Sequence, residues 1–169
     1  KPNRLTFGPY TDLVGVQSMQ NMSGFLPAFG EHVEGSELCA TCHTLYTPYI
    51  DNEGNIAGTF PEQTVYLEWQ HSQYSQEGEN KRVCQSCHMP KADGAAPISV
   101  IPPNSPDREP FFQHHFVGGN YFMLNMLKNH GEELNVTASD SHYDATIERT
   151  LNQLKQNTAT INIVNWFAN

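Results

Sequence analysis

Cys39-Ala40-Thr41-Cys42-His43 returns 45 residues later in the same form, as Cys84-Gln85-Ser86-Cys87-His88. Two cysteines three residues apart stand on one face of a single helical turn. From there they can form thioethers to the two vinyl groups of one porphyrin, and the next residue turns its imidazole toward the iron. C-x-x-C-H is therefore the attachment signature of a c-type haem. The two motifs use all four cysteines of the chain. They predict two haems c, with Cys39, Cys42, Cys84 and Cys87 as attachment points and His43 and His88 as proximal iron ligands.

Three other uses of paired cysteines fit less well. A zinc ribbon repeats C-x-x-C at separations of roughly 15–20 residues, whereas 41 residues lie between Cys42 and Cys84. It also has no need of a histidine directly after each pair. A thioredoxin-like redox pair sits in a βαβ context and normally occurs once. Disulfides within each motif leave both histidines unexplained.

The opposite face of each iron decides between electron transfer and reactivity, because a six-coordinate haem exchanges electrons while an open one binds small molecules. Six further histidines are available: His32, His71, His114, His115, His130 and His142. His114 follows a proline-rich stretch and precedes Phe116-Val117-Gly118-Gly119, whose glycines permit close backbone approach to a flat cofactor. Adjacent histidines rarely share one iron, so His114 or His115 serves and its neighbour faces a propionate or solvent. His32, seven residues before Cys39, is the expected ligand of the remaining iron, with His71 as its competitor. His130 and His142 are expected to be exposed. Methionine is the other distal option: Met19 and Met22 remain open, Met123 and Met126 are better explained as core, and Met89 cannot reach the far face of its own haem.

Composition sets the bounds. The chain has 169 residues, 38% apolar and 16% charged, with a formal net charge of −9 and a mean hydropathy of −0.53. The acidic balance argues against nucleic acid and suits basic protein partners. No apolar run approaches the roughly 18 residues of a membrane-spanning helix. The first residues, Lys1-Pro2-Asn3-Arg4, do not read as a signal peptide, so if the protein is exported its signal lies outside this stretch or has been cleaved.

Local patterns predict the elements. A short helix covers Val16 to Met22, and Asp51-Asn52-Glu53-Gly54 forms a turn. Phe60-Pro61-Glu62-Gln63 has the signals of a helix start, with the helix running to about Tyr74 and presenting Val65, Tyr66 and Trp69. Pro90 to Pro110 holds six of the eleven prolines and is irregular. A helix spans Gly119 to His130. Another follows Ser141, capped by it with Asp144, along the stripe Tyr143, Ile147, Leu151, Leu154. Ala159 to Trp166 reads as a strand. The expected fold is mainly α and loop-rich, with few strands, because two covalent haems supply much of the core. Residues 1–158 form the di-haem domain, and 159–169 a strand-like tail that begins a truncated β-rich domain.

The residues Ser36 to Pro48, Phe60-Pro-Glu-Gln-Thr64, Glu68-Trp69 with Ser72 and Tyr74, Cys84-Gln-Ser-Cys-His-Met-Pro90 and His114-x-Phe-Val-Gly-Gly-Asn120 resemble bacterial multihaem cytochromes c of the cytochrome c554-like kind. The resemblance covers residues 36–125; its haem motifs are specific and its remainder is weaker. It implies an electron carrier in the periplasm, in the extracellular space or at the outer surface, working with redox proteins or with other haem domains. It also favours His114 over His115, and it fits a β-rich continuation. The chain departs from that pattern in having two haem motifs where such proteins generally have four or more. Two other functions compete: a di-haem peroxidase or small nitrogen- or sulfur-compound reductase with one open haem, served by Tyr, His115 or Arg108, and a haem-based sensor module. Electron transfer needs no catalytic residues, and none is assigned.

Overall fold

The structure is a computed structural model that describes residues 4–99, 105–159, 162 and 164. It divides into two units, one ending at Gln113 and the other starting at His114.

The first unit opens with β1 (Arg4–Gly8) and β2 (Phe25–Phe29), paired in parallel from Arg4↔Phe25 to Gly8↔Phe29. Parallel neighbours need a crossover of a dozen or more residues, and α1 (Val16–Ser23) supplies it. Gly24 stops α1 in the left-handed region, φ 76°, and its N–H closes onto Gln20 O. The Arg4 guanidinium lies 4.8 Å over the Phe25 ring. A 3-10 turn, Glu31–Val33, then leads into α2 (Ser36–His43).

Next comes a hairpin of β3 (Leu45–Ile50) and β4 (Ile56–Gln63). The expected turn joins them, with Asp51 Oδ1 accepting the N–H groups of Glu53 and Asn55 at 3.0 and 2.7 Å. The helix expected from Phe60 to Tyr74 is shorter and later. Phe60, Pro61, Glu62 and Gln63 belong to β4, and α3 runs only from Val65 to Gln70. Pro61 pairs with Tyr46 in a two-stranded sheet, where each strand has an open edge that tolerates a missing donor. Thr64 separates strand from helix, and its hydroxyl donates to Glu68 Oε1 at 2.9 Å. Tyr66 and Trp69 do share a side of α3, stacked 5.5 Å apart. After α3 come a 3-10 turn, Gln73–Ser75, and α4 (Cys84–His88). The proline-rich stretch is irregular apart from a two-residue ladder between β5 (Ala96–Pro97) and β6 (Asp107–Arg108).

The second unit is built on α5 (Tyr121–Asn129) and α6 (Asp140–Gln156). Asn120 caps α5, its Oδ1 accepting from Met123 N at 3.0 Å. Ser141 does not cap α6: it lies inside the helix, and Ser139 is the boundary residue. The predicted stripe holds, with Tyr143, Ile147, Leu151 and Leu154 all partly buried around a fully buried Thr150. Lys128 and Asp144 join the two helices. The strand expected over Ala159 to Trp166 lies outside the described residues except at 159, 162 and 164.

The mainly α, strand-poor class is therefore corrected. The described residues are 39% helix and 20% strand, in six helices and three small sheets. Runs such as Leu45-Tyr46-Thr47-Pro48-Tyr49-Ile50 carry aromatic and β-branched residues that favour a pleated surface. Burial is sparse. Val117 is the only apolar side chain in the buried class among the described residues, while Met22 is 89% exposed, Ile56 72% and Phe60 60%. None of the helices is long and apolar enough to cross a membrane, among the described residues.

Candidate haem-binding site

Both C-x-x-C-H motifs are helical and both lie in the first unit: Cys39 to His43 ends α2, and Cys84 to His88 is the whole of α4. Their local geometry is the same. In each, the residue before the second cysteine turns its hydroxyl back onto its own helix, Thr41 Oγ1 to Leu38 O at 2.7 Å and Ser86 Oγ to Val83 O at 2.6 Å. The same hydroxyls stand 3.9 and 4.0 Å from Cys42 Sγ and Cys87 Sγ. The second cysteine of each motif and the histidine that ends it are exposed.

Contacts that sequence reasoning did not foresee hold the two helices together. Cys84 N donates to Ser36 Oγ at 3.1 Å, and Gln85 Nε2 donates to Val33 O and Gly35 O at 3.1 and 2.8 Å. Ser36 is fully buried. Cys39 lies one turn beyond Ser36, on the same side of α2, and the Cys84 thiol is among the groups that act on it. Burial first, and then the neighbouring Cys84, push the Cys39 thiol above its ordinary value. That direction is opposite to the depressed thiol of a nucleophilic redox cysteine at a helix N-terminus.

Each remaining ligand candidate has a definite setting. His43 Nδ1 lies 3.1 Å from Gln63 Oε1 at the end of β4. An amide oxygen only accepts, so Nδ1 carries the proton and Nε2 keeps its lone pair for a metal. His71 has the same tautomer, fixed by Leu67 O at 2.7 Å. His32 packs edge-on against Phe7, with ring centroids 5.1 Å apart. Gly30 makes room for it, since a Cβ there would stand 2.6 Å from His32 Cε1. Because Gln85 grips Val33 and Gly35, the segment carrying His32 is tied to the second motif, although sequence proximity pointed to the first. His114 opens the second unit, exposed and edge-on to Phe116 at 5.8 Å. His115 is exposed as well. The left-handed residue beside them is Phe116, φ 49°, rather than Gly118 or Gly119. A Cβ on Gly118 would meet open space. Met19 and Met22 lie on α1, 47% and 89% exposed, while Met123 and Met126, expected in the core, are 44% and 38% exposed.

The donor set fits two haems. All four cysteines are free thiols, and each motif presents two of them and an imidazole from one helical turn. No group of three or more His, Cys, Asp or Glu is gathered for a metal ion among the described residues. A zinc site needs about four protein ligands at one point, whereas haem iron takes one protein ligand per face. Thr44 Oγ1, directly after the first motif, and Gln85 Oε1, inside the second, are buried without a hydrogen-bond partner. The chain matches no family model, no curated protein and no solved structure.

Proposed function

We propose that this chain is an electron-transfer protein with two covalently attached haems c, of the cytochrome c554-like multihaem kind. It works outside the cytoplasm, in the periplasm or at the outer surface, and exchanges electrons with redox proteins or with other haem domains. The observation that carries the reading is the joining of the two C-x-x-C-H helices through Ser36, Cys84 and Gln85, which sets the two motifs side by side. Two cofactors anchored at neighbouring cysteines form a pair, and a pair is what passage of electrons along a chain requires.

The haems supply a one-electron iron couple when bound. The polypeptide supplies the rest. Cys39, Cys42, Cys84 and Cys87 would hold the two macrocycles by thioethers, and His43 and His88 would ligate the irons. Gln63 keeps the His43 proton on Nδ1. His114 and His32 are the expected distal ligands. The excess of acidic residues, 18 against 9 basic, favours a basic partner surface.

The test is an optical and electron paramagnetic resonance study of the protein matured in a host that attaches c-type haem. Two low-spin haems that each titrate with one electron and do not bind carbon monoxide support the reading. A five-coordinate haem that turns over peroxide, hydroxylamine or sulfite would replace it with an enzyme.

A further inference from the structure

We infer that Gln63 is a positioning residue for the His43-bound haem, holding the ligand ring and lowering the reduction potential of that iron. The inference rests on the two-haem reading and adds to it a residue outside both motifs.

Gln63 lies 20 residues from His43, and the hairpin brings it back. It ends β4 and pairs with Leu45, two residues past His43. The hairpin is braced on both strands: Thr47 bonds Glu62, and Tyr49 lies across Gly58, where a Cβ would stand 2.6 Å from Tyr49 Oη. On its other side Gln63 is followed by Thr64, which is bonded to Glu68 at the start of α3. The backbone of Gln63 is thus held between strand and helix, and its side chain is partly buried. Its Oε1 sits 3.1 Å from His43 Nδ1.

A ring N–H donated to an acceptor does two things to a metal-bound imidazole. It fixes the tautomer and rotation of the ring, and it makes the ring a stronger electron donor. Stronger donation stabilises ferric over ferrous iron, so the potential falls. A carboxylate in place of the amide strengthens the bond, because charge-assisted hydrogen bonds are roughly twice as strong as neutral ones. A thioether of similar length cannot accept to the same degree. The two replacements therefore push the potential in opposite directions while filling the same space, which mere disturbance of the fold does not do.

The experiment is spectroelectrochemistry and electron paramagnetic resonance on the matured full chain, comparing the parent with Gln63→Glu and Gln63→Met. The expected result is that one of the two haem potentials moves negative in Gln63→Glu and positive in Gln63→Met. The other haem keeps its potential, and both stay low-spin. Altered g-values for the same haem in Gln63→Met would report the freed ring. Unchanged potentials in both variants, or a shift of the same sign in both, would overturn the role of Gln63 and leave the two-haem reading intact. A parent protein whose mass shows no attached haem would overturn both, and the mass alone separates the two failures.

Discussion

The backbone N–H of Cys84 donates to the hydroxyl of Ser36 at 3.1 Å, across 48 positions of sequence. It ties the start of one C-x-x-C-H helix to the start of the other. Ser36 is 1% exposed and Cys84 is half-buried, so water replaces the bond only in part when it is lost. Leaving a buried donor unsatisfied costs about 1–3 kcal/mol. Ser36→Ala in the haem-loaded protein is expected to lose at most that much, read as a drop of the denaturant midpoint with the slope unchanged. An unaltered midpoint would show that Gln85 alone holds the helices together.

Distal ligation is testable by single replacements. His114→Ala is expected to turn one haem high-spin and open it to carbon monoxide, while His115→Ala leaves both haems low-spin. His32→Ala is expected to open the other haem, and His71→Ala to leave it closed. Reversal within either pair transfers the role to the other histidine.

The polypeptide has little core of its own in the first unit, where Gly30 and Ser36 are the residues in the buried class among those described. Fixing a residue costs roughly 1–2 kcal/mol of conformational entropy, and burial returns about 25 cal/mol per Å² of apolar surface. Large flat cofactors add that surface. Thioethers also restrict the unfolded chain much as a disulfide does. Expression without haem attachment is therefore expected to give an expanded chain with weak far-ultraviolet circular dichroism and no cooperative melting. A sharp thermal transition in that apo-protein would show that the polypeptide suffices.

Acid sensitivity has a defined source in Asp12. The Arg108 guanidinium donates to both of its carboxylate oxygens at 2.7 Å and holds Asp12 below the usual carboxylate range. A carboxyl depressed on folding contributes stability that is fully present above its unfolded value, about 3.9, and is lost as pH falls through the lower folded value. Asp12→Asn is thus expected to be less stable than the parent near pH 6, with the gap closing below about pH 4. Because Asp12 is exposed, the gap should be small and should shrink with salt. A gap that stays constant with pH would mean that packing, not charge, explains it.

What the sequence revealed was local. The helical form of both C-x-x-C-H motifs, the Asp51–Gly54 turn, α1 and the stripe of α6 are written in residues within a few positions of one another. The hairpin was hidden because Phe60-Pro61-Glu62 carries the signals of a helix start, while its pairing with Thr47 and Tyr46 is a long-range choice. The parallel pairing of Arg4–Gly8 with Phe25–Phe29 was hidden for the same reason. Ser36 and Gln63 look like ordinary surface polar residues; only contacts 48 and 20 positions away give them roles. The hydroxyls of Thr41 and Ser86 occupy equivalent places in the two motifs and turn back onto their helices in the same way.

The most direct test is mass spectrometry of the protein matured in a host that attaches c-type haem, followed by acid–acetone extraction and peptide mapping. The account predicts two haems retained after extraction, one on the peptide holding Cys39 and Cys42 and one on that holding Cys84 and Cys87. An unmodified chain, or two motifs recovered as disulfides or zinc-bound thiolates, would contradict it.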